Sequence, residues 1–212
     1  MSDARLTDSE IDAAGLRDWR SISNALHTRF ATGDFATGLR LVNAIAEAAE
    51  AANHHPDLDL RYPHLNVRLF SHDAFGITRR DIELAREISG LAADAGVSAA
   101  PSDVSVLELA LDTPDFSAIK PFWLAVLGYQ ANPESDDEVR NDDADLPTLW
   151  FQTSGADEPR QRFHLDIRVP AEVARERIDA AIAAGGRLVD DDAAPNFVVL
   201  ADADGNKVCV CT

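Results

Sequence analysis

The chain has 212 residues, enough for one large domain or two small ones. Its composition is ordinary for a globular protein, 46% hydrophobic and 26% charged. The net charge of −18 argues against nucleic acid, whose phosphates need a basic patch, and against anionic membrane surfaces.

The charge is uneven: residues 1–96 hold 10 basic and 15 acidic side chains, leaving 9 of the 19 basic and 22 of the 37 acidic ones to the remainder. That change of character points to a domain boundary. The two cysteines, Cys209 and Cys211, alternate on one predicted strand. So short a loop suits a disulfide poorly, and they read as reduced thiols. The first residues carry no apolar signal core, and no apolar run is long enough to span a bilayer. A cytoplasmic protein is expected.

In chain order, Thr7 caps a short helix to about Ala14, with Glu10 completing a capping box. Trp19–Phe30 reads as a hairpin turning at Ser23-Asn24. Phe35–Asn53 has helical periodicity, Leu41, Ile45, Ala48 and Ala52 sharing one face. His54-His55-Pro56 ends that helix, because a residue before proline avoids the helical region. Strands follow around Leu58–Tyr62 and Leu65–Phe70; in the second, Leu65, Val67 and Leu69 alternate with polar residues. Thr78 caps the next helix with Asp81 in its capping-box position, and Leu84, Ile88, Leu91 and Ala95 form the apolar stripe. The order α-β-β-α-β-β-α predicts an α+β domain, an antiparallel sheet with helices on one face.

Residues 97–103, small, polar and broken by Pro101, read as a linker between domains 1–96 and 104–212. Beyond it, Val104–Leu111 is a strand, and Ile119, Phe122, Trp123, Val126 and Leu127 mark a helix ended by Gly128. An acidic stretch, Asn132–Asp145, precedes a strand at Thr148–Gln152. The pattern then recurs: a strand at Phe163–Val169, a helix with Ala174, Ile178, Ala181 and Ile182 on one face, and strands at Phe197–Ala201 and Lys207–Cys211 around a turn at Asp202–Asn206. A strand-helix-strands unit occurring twice is an internal repeat.

His54, His55 and His72 are three of the chain's six histidines. Adjacent histidines cannot ligate in the i, i+4 manner of a helical metal site, and no cysteine is near, so metal binding is not favoured here. If the helix end at His54-His55 and the strand end before His72 meet on one rim of the sheet, three imidazoles converge. Such a site can protonate one atom and deprotonate another near neutral pH without a cofactor.

Residues 1–96 resemble the pterin-4a-carbinolamine dehydratase family. The resemblance runs through Trp19, Phe30, Asp34-Phe35, Ala49-Glu50, His54-His55-Pro56, Tyr62, Val67, Leu69, Ser71-His72, Gly76-Ile77-Thr78 and Asp81. Leu58 departs from the pattern, since members often carry an aromatic residue there. The resemblance implies loss of water from a 4a-hydroxytetrahydropterin to give the quinonoid dihydropterin, in pterin recycling and without a cofactor. His54, His55 and His72 are then the catalytic residues, with Glu50, Pro56 and Asp81 contacting substrate. Glu50 stands where it can hold an imidazole, and Asp81 caps its helix or pairs with Arg80. The family also implies a homo-oligomer. An alternative from another class is a non-enzymatic regulator using the same fold to bind protein partners.

Residues 104–212 resemble a glyoxalase-like domain of the vicinal oxygen chelate superfamily, a repeated β-α-β-β-β fold. The motifs are Asp112-Thr113-Pro114-Asp115, Phe122-Trp123, Leu127-Gly128-Tyr129, Phe163-His164-Leu165-Asp166, Ala184-Gly185-Gly186 and Asp202–Asn206. Active members often hold a divalent metal, and the resemblance places its ligands at Glu108, Phe151 or Gln152, His164 and Cys209. Phenylalanine cannot ligate, and cysteine stands in place of the usual carboxylate. An accessory domain without metal is therefore expected, with a metal-dependent glyoxalase- or dioxygenase-type enzyme as the alternative.

Overall fold

The computed structural model describes residues 4–141, 146–154, 163–201 and 207–212, with Phe122 and residues 125–127 described by backbone alone. The chain divides into two units, Met1–Val104 and Ser105–Thr212.

The first unit contains α1 (Asp8–Ala13), β1 (Arg20–Ile22), β2 (Ala25–Ala31), α2 (Phe35–Ala52), β3 (Asp57–Arg61), β4 (His64–Leu69), α3 (Arg79–Asp94) and β5 (Ser98–Ala99). The strands run in the order β1-β2-β4-β3, all antiparallel, and β5 pairs with β2. Ser23 and Asn24 both take positive φ, 48° and 61°, which matches the twist a two-residue hairpin requires. Period-2 alternation sends Leu26 and Phe30 of β2 and Leu65, Val67 and Leu69 of β4 to one face. There they meet Leu41 and Ile45 of α2 and Ile82, Ala85 and Ile88 of α3. Each of the leucine, isoleucine, valine and phenylalanine side chains among them, fully buried, contributes about 1.5–3 kcal/mol. Trp19 joins this core, and its indole N–H donates to the Ala85 carbonyl at 3.1 Å.

The expected linker belongs to this unit. Val97 is buried in the core, Ser98 and Ala99 pair with Ala31 and Phe30, and Pro101–Asp103 form a 3-10 turn. The small residues that suggest a loose tether are the ones that fit a sheet edge.

His27 of β2 lies opposite Arg20 and Arg68 in the strand register. Burial, with the Arg68 charge adding to it, lowers its pKa from 6.5 to about 4. The unfolded chain takes up this proton as pH falls through about 6.5, whereas the folded chain waits until about 4. Stability is therefore lost across that interval as the solution is acidified. His27→Gln should show a smaller drop in urea midpoint between pH 7 and pH 4 than the wild type. An identical drop would remove His27 as the cause.

The second unit contains β6 (Val106–Thr113), α4 (Phe116–Leu127), β7 (Gln130–Ala131), β8 (Glu138–Arg140), β9 (Thr148–Thr153), β10 (Phe163–Arg168), α5 (Ala171–Ala183), β11 (Arg187–Asp190), β12 (Phe197–Ala201) and β13 (Lys207–Cys211). The sheet order is β11-β12-β13-β10-β6-β9-β8-β7. In each half the first strand runs parallel to the last, β6 with β9 and β10 with β13, and the halves join by antiparallel β6 and β10. The repeat read in the sequence is thus a repeated β-α-β-β-β module. Leu111, Val139, Leu149 and Phe151 pack with residues of α4, while Val169, Leu200 and Val210 pack with Ala174 of α5. β8 lies inside the acidic stretch, where no alternation announces a strand; its central Val139 is wholly buried. The expected turn 202–206 and the acidic residues 142–145 lie outside the described residues.

Candidate active site

Helix α2 ends one residue before Asn53, whose left-handed backbone (φ 48°, ψ 41°) turns the chain out of the helix. The His54 N–H then bonds back to the Ala49 carbonyl at 3.1 Å. This closes the cap and carries the His54 side chain inward, where it is 7% exposed. Strand β3 begins immediately afterwards, and Asp57 pairs with Arg68 near the end of β4. That register directs the His54-His55-Pro56 segment toward the residues that follow β4, and His54 and Ser71 meet on the same carboxylate, that of Asp81.

His54 Nε2 lies 2.7 Å from Asp81 Oδ1. The other carboxylate oxygen, Oδ2, accepts from Ser71 Oγ at 2.6 Å, from the Thr78 N–H at 2.7 Å and from Thr78 Oγ1 at 3.1 Å. The capping-box acid of α3 is therefore the hub of a buried network, itself 0% exposed. Burial raises its pKa, but the hydrogen bonds from His54, Ser71 and Thr78 outweigh this and hold the carboxyl below its ordinary value. An ionised Asp81 can only accept, so His54 Nε2 is the donor. The neutral ring then carries its lone pair on Nδ1.

Ser71 opens a turn closed by its N–H on the Gly76 carbonyl at 3.0 Å. His72, the next residue, is exposed. Its ring stands edge-on to Phe70, centroids 5.1 Å apart. The Arg68 guanidinium lies 4.9 Å from the Phe70 ring centre, and Arg68 Nη1 reaches Asp57 Oδ2 at 2.6 Å. The wall carrying His72 is thereby tied to the strand that follows Pro56. His55 is exposed, with Nε2 3.2 Å from Glu50 Oε1. The end of the sheet thus presents one buried, carboxylate-held imidazole and two exposed ones on the segments flanking it.

Asp81, expected to contact substrate, has no exposed surface, and both of its oxygens are engaged, one of them with His54. It also leaves Arg80 to Asp73, at 2.5 Å. Glu50 lies against an imidazole, that of His55, with both side chains exposed. Pro56 is half-buried beside them. Thr78 is the capping-box partner that the spacing announced, whereas Ser71 enters as a further partner of Asp81, and no spacing rule connects Ser71 or His54 to that carboxylate.

In the second unit, strand alternation puts Glu108, Asp112, Trp150, His164, Asp166 and Cys209 on the face opposite the helix-covered one. The ligand set counted from the superfamily motifs does not assemble. Glu108 accepts from Arg168 Nε at 2.5 Å. Phe151 is buried on the other face, stacked on Phe116, and Gln152 carries an amide at an exposed strand end. His164 and Cys209 do come together, with Asp166 between them.

The first unit is thus an α+β domain, an antiparallel sheet packed against helices, with a buried histidine–carboxylate pair at the end of α2. The family model for pterin 4 alpha carbinolamine dehydratase matches residues 4–91, and that for a glyoxalase-like domain matches residues 108–211. A protein of Picosynechococcus sp. named "Putative pterin-4-alpha-carbinolamine dehydratase" is 41% identical over 83 residues, covering 38% of this chain and 90% of its own length. A protein of the same name from Mycobacterium leprae is 42% identical over 91 residues, covering 42% and 97%. A solved structure from Brucella melitensis, described as a transcriptional coactivator/pterin dehydratase, is 33% identical with a TM-score of 0.40 and covers 42% of this chain and 98% of that one. The chain belongs to the pterin-4a-carbinolamine dehydratase family through its first domain, and it carries a glyoxalase-like domain after it.

Proposed function

We propose that the first domain dehydrates a 4a-hydroxytetrahydropterin to the quinonoid dihydropterin by histidine acid–base catalysis. The reading is carried by one observation: a buried His54 held by an ionised carboxylate, with exposed His55 next to it and exposed His72 following Ser71, which binds the same carboxylate. The 4a-hydroxyl is a poor leaving group and must gain a proton as the C–O bond breaks. A ring N–H loses one as the new C=N double bond forms, so the sum is one water. His54 and His72 form the proton-transfer pair, and His55, steadied by Glu50, binds or orients the pterin. Asp81 keeps His54 in one tautomer and one orientation, which supports a single direction of proton flow. The second domain is accessory to this reaction. The dehydratase needs no metal, since every proton moves between imidazole and substrate.

The direct test generates the carbinolamine in solution and follows its dehydration by absorbance. Catalytic amounts of the purified protein should accelerate the decay well above the buffer rate. A decay indistinguishable from buffer would overturn the proposal.

A further inference from the structure

We propose that the glyoxalase-like domain binds one zinc-class divalent cation through His164, Asp166 and Cys209, a ligand set shifted from the one its superfamily motifs imply. The three residues come from two adjacent strands. β10 supplies His164 and Asp166, two apart and so on the same face, and β13 supplies Cys209, the register partner of Asp166. One ligand atom from each lies within 4.8 Å of the others. His164 Nε2 and Asp166 Oδ1 are 3.4 Å apart. Two ligands each about 2.0–2.1 Å from a tetrahedral ion stand roughly that far apart.

The second observation is the carboxylate itself. Asp166 is 5% exposed, and its Oδ1 is buried without a hydrogen bond. Its other oxygen accepts from Trp150 Nε1 at 3.1 Å, which turns Oδ1 toward His164 and Cys209. A buried carboxylate oxygen with a poorly aligned imidazole nitrogen at 3.4 Å and a weak thiol donor nearby is badly satisfied, and a cation among these atoms would satisfy it. The outer groups fit as well. His164 turns its far nitrogen, Nδ1, toward Asp112 Oδ1, 3.8 Å away and also buried without a hydrogen bond. A slight closure would make the carboxylate–histidine pair that orients metal-bound imidazoles. Trp150 stands edge-on to the His164 ring at 5.5 Å. Glu108 stays with Arg168 and takes no part. A nitrogen, an oxygen and a sulfur donor suit zinc, and three protein ligands leave a fourth position for water or a substrate oxygen.

The test uses the full chain, stripped with chelator and titrated with Co(II) and Zn(II). Co(II) should bind one ion per chain and give a thiolate-to-cobalt charge-transfer band in the near ultraviolet. Cys209→Ser should abolish the band and His164→Ala should abolish stoichiometric binding, while His55→Ala should change neither. Trp150→Phe should weaken binding about 10–100-fold, the usual effect of losing an outer partner. A variant-free readout is the X-ray absorption fine structure of the Zn(II)-loaded wild type, which should show a sulfur at about 2.3 Å beside lighter neighbours at about 2.0–2.2 Å. The proposal is overturned by a wild type without the cobalt–thiolate band, by a band that survives Cys209→Ser, or by a zinc shell of nitrogen and oxygen alone. The dehydration assay is independent of each of these outcomes.

Discussion

His54→Ala is expected to dehydrate the carbinolamine about 10²–10⁴-fold more slowly than the wild type, the usual range for removing one general acid or base. Its imidazole is the one held on a buried acid, so its proton-transfer geometry is set before substrate arrives. The alanine protein also leaves Asp81 Oδ1 without its donor, which costs stability and could mimic a catalytic loss. His54→Gln separates the two effects. Its amide N–H can still reach Asp81, but an amide exchanges no proton near neutral pH. A folded His54→Gln protein with the rate of the alanine variant would assign the loss to proton transfer. His72→Ala should fall in the same range with little change in stability, since that ring is exposed. Either histidine variant running at the wild-type rate would refute the pairing.

Asp81→Ala should be the most destabilising single change in the first domain's site, by roughly 2–4 kcal/mol in urea denaturation. The Thr78 N–H loses its capping partner, worth typically about 1 kcal/mol. The Ser71 and Thr78 hydroxyls keep each other at 2.9 Å but lose the acceptor at the centre of the network. A buried polar group left unsatisfied costs about 1–3 kcal/mol. The same bonds make stability depend on acid. Asp81 titrates lower in the folded chain than in the unfolded one, so its contribution is complete above the ordinary carboxylate value of about 3.9. It fades as pH falls through the lower folded value. Asp81→Asn should flatten that acid limb and, having lost the anionic acceptor, release the His54 tautomer. The pH–rate profile of the dehydration should then shift, a change that a purely structural role for Asp81 would not produce. An unshifted profile would confine Asp81 to capping.

Much of the fold was legible in local pattern. Thr7 with Glu10 and Thr78 with Asp81 are capping boxes within one helical turn, and both form. The alternation of Leu65, Val67 and Leu69 makes β4, and Ser23-Asn24 makes the hairpin turn. The expectation of a linker at 97–103 failed because composition reports flexibility, whereas Val97 and the β2 edge supply a burial site that composition does not encode. β8 was hidden for the converse reason, since acidic neighbours mask a three-residue strand anchored by Val139 alone.

The candidate sites divide along the same line. Residue type marks His54, His55 and His72 as candidates for acid–base work, and His164 and Cys209 as candidate metal donors, before any coordinates are known. Which acid serves which histidine is another matter. Asp81 was readable as a cap because its N-terminal partner is three residues away, but its bond to His54 crosses 27 residues. Asp166 entered the second cluster only through the register of β10 on β13. Periodicity, caps and turns are governed by neighbours within about four residues, so the chain states them directly. Pairings between separate elements depend on how sheets register and helices dock, and the assembled core alone selects among them.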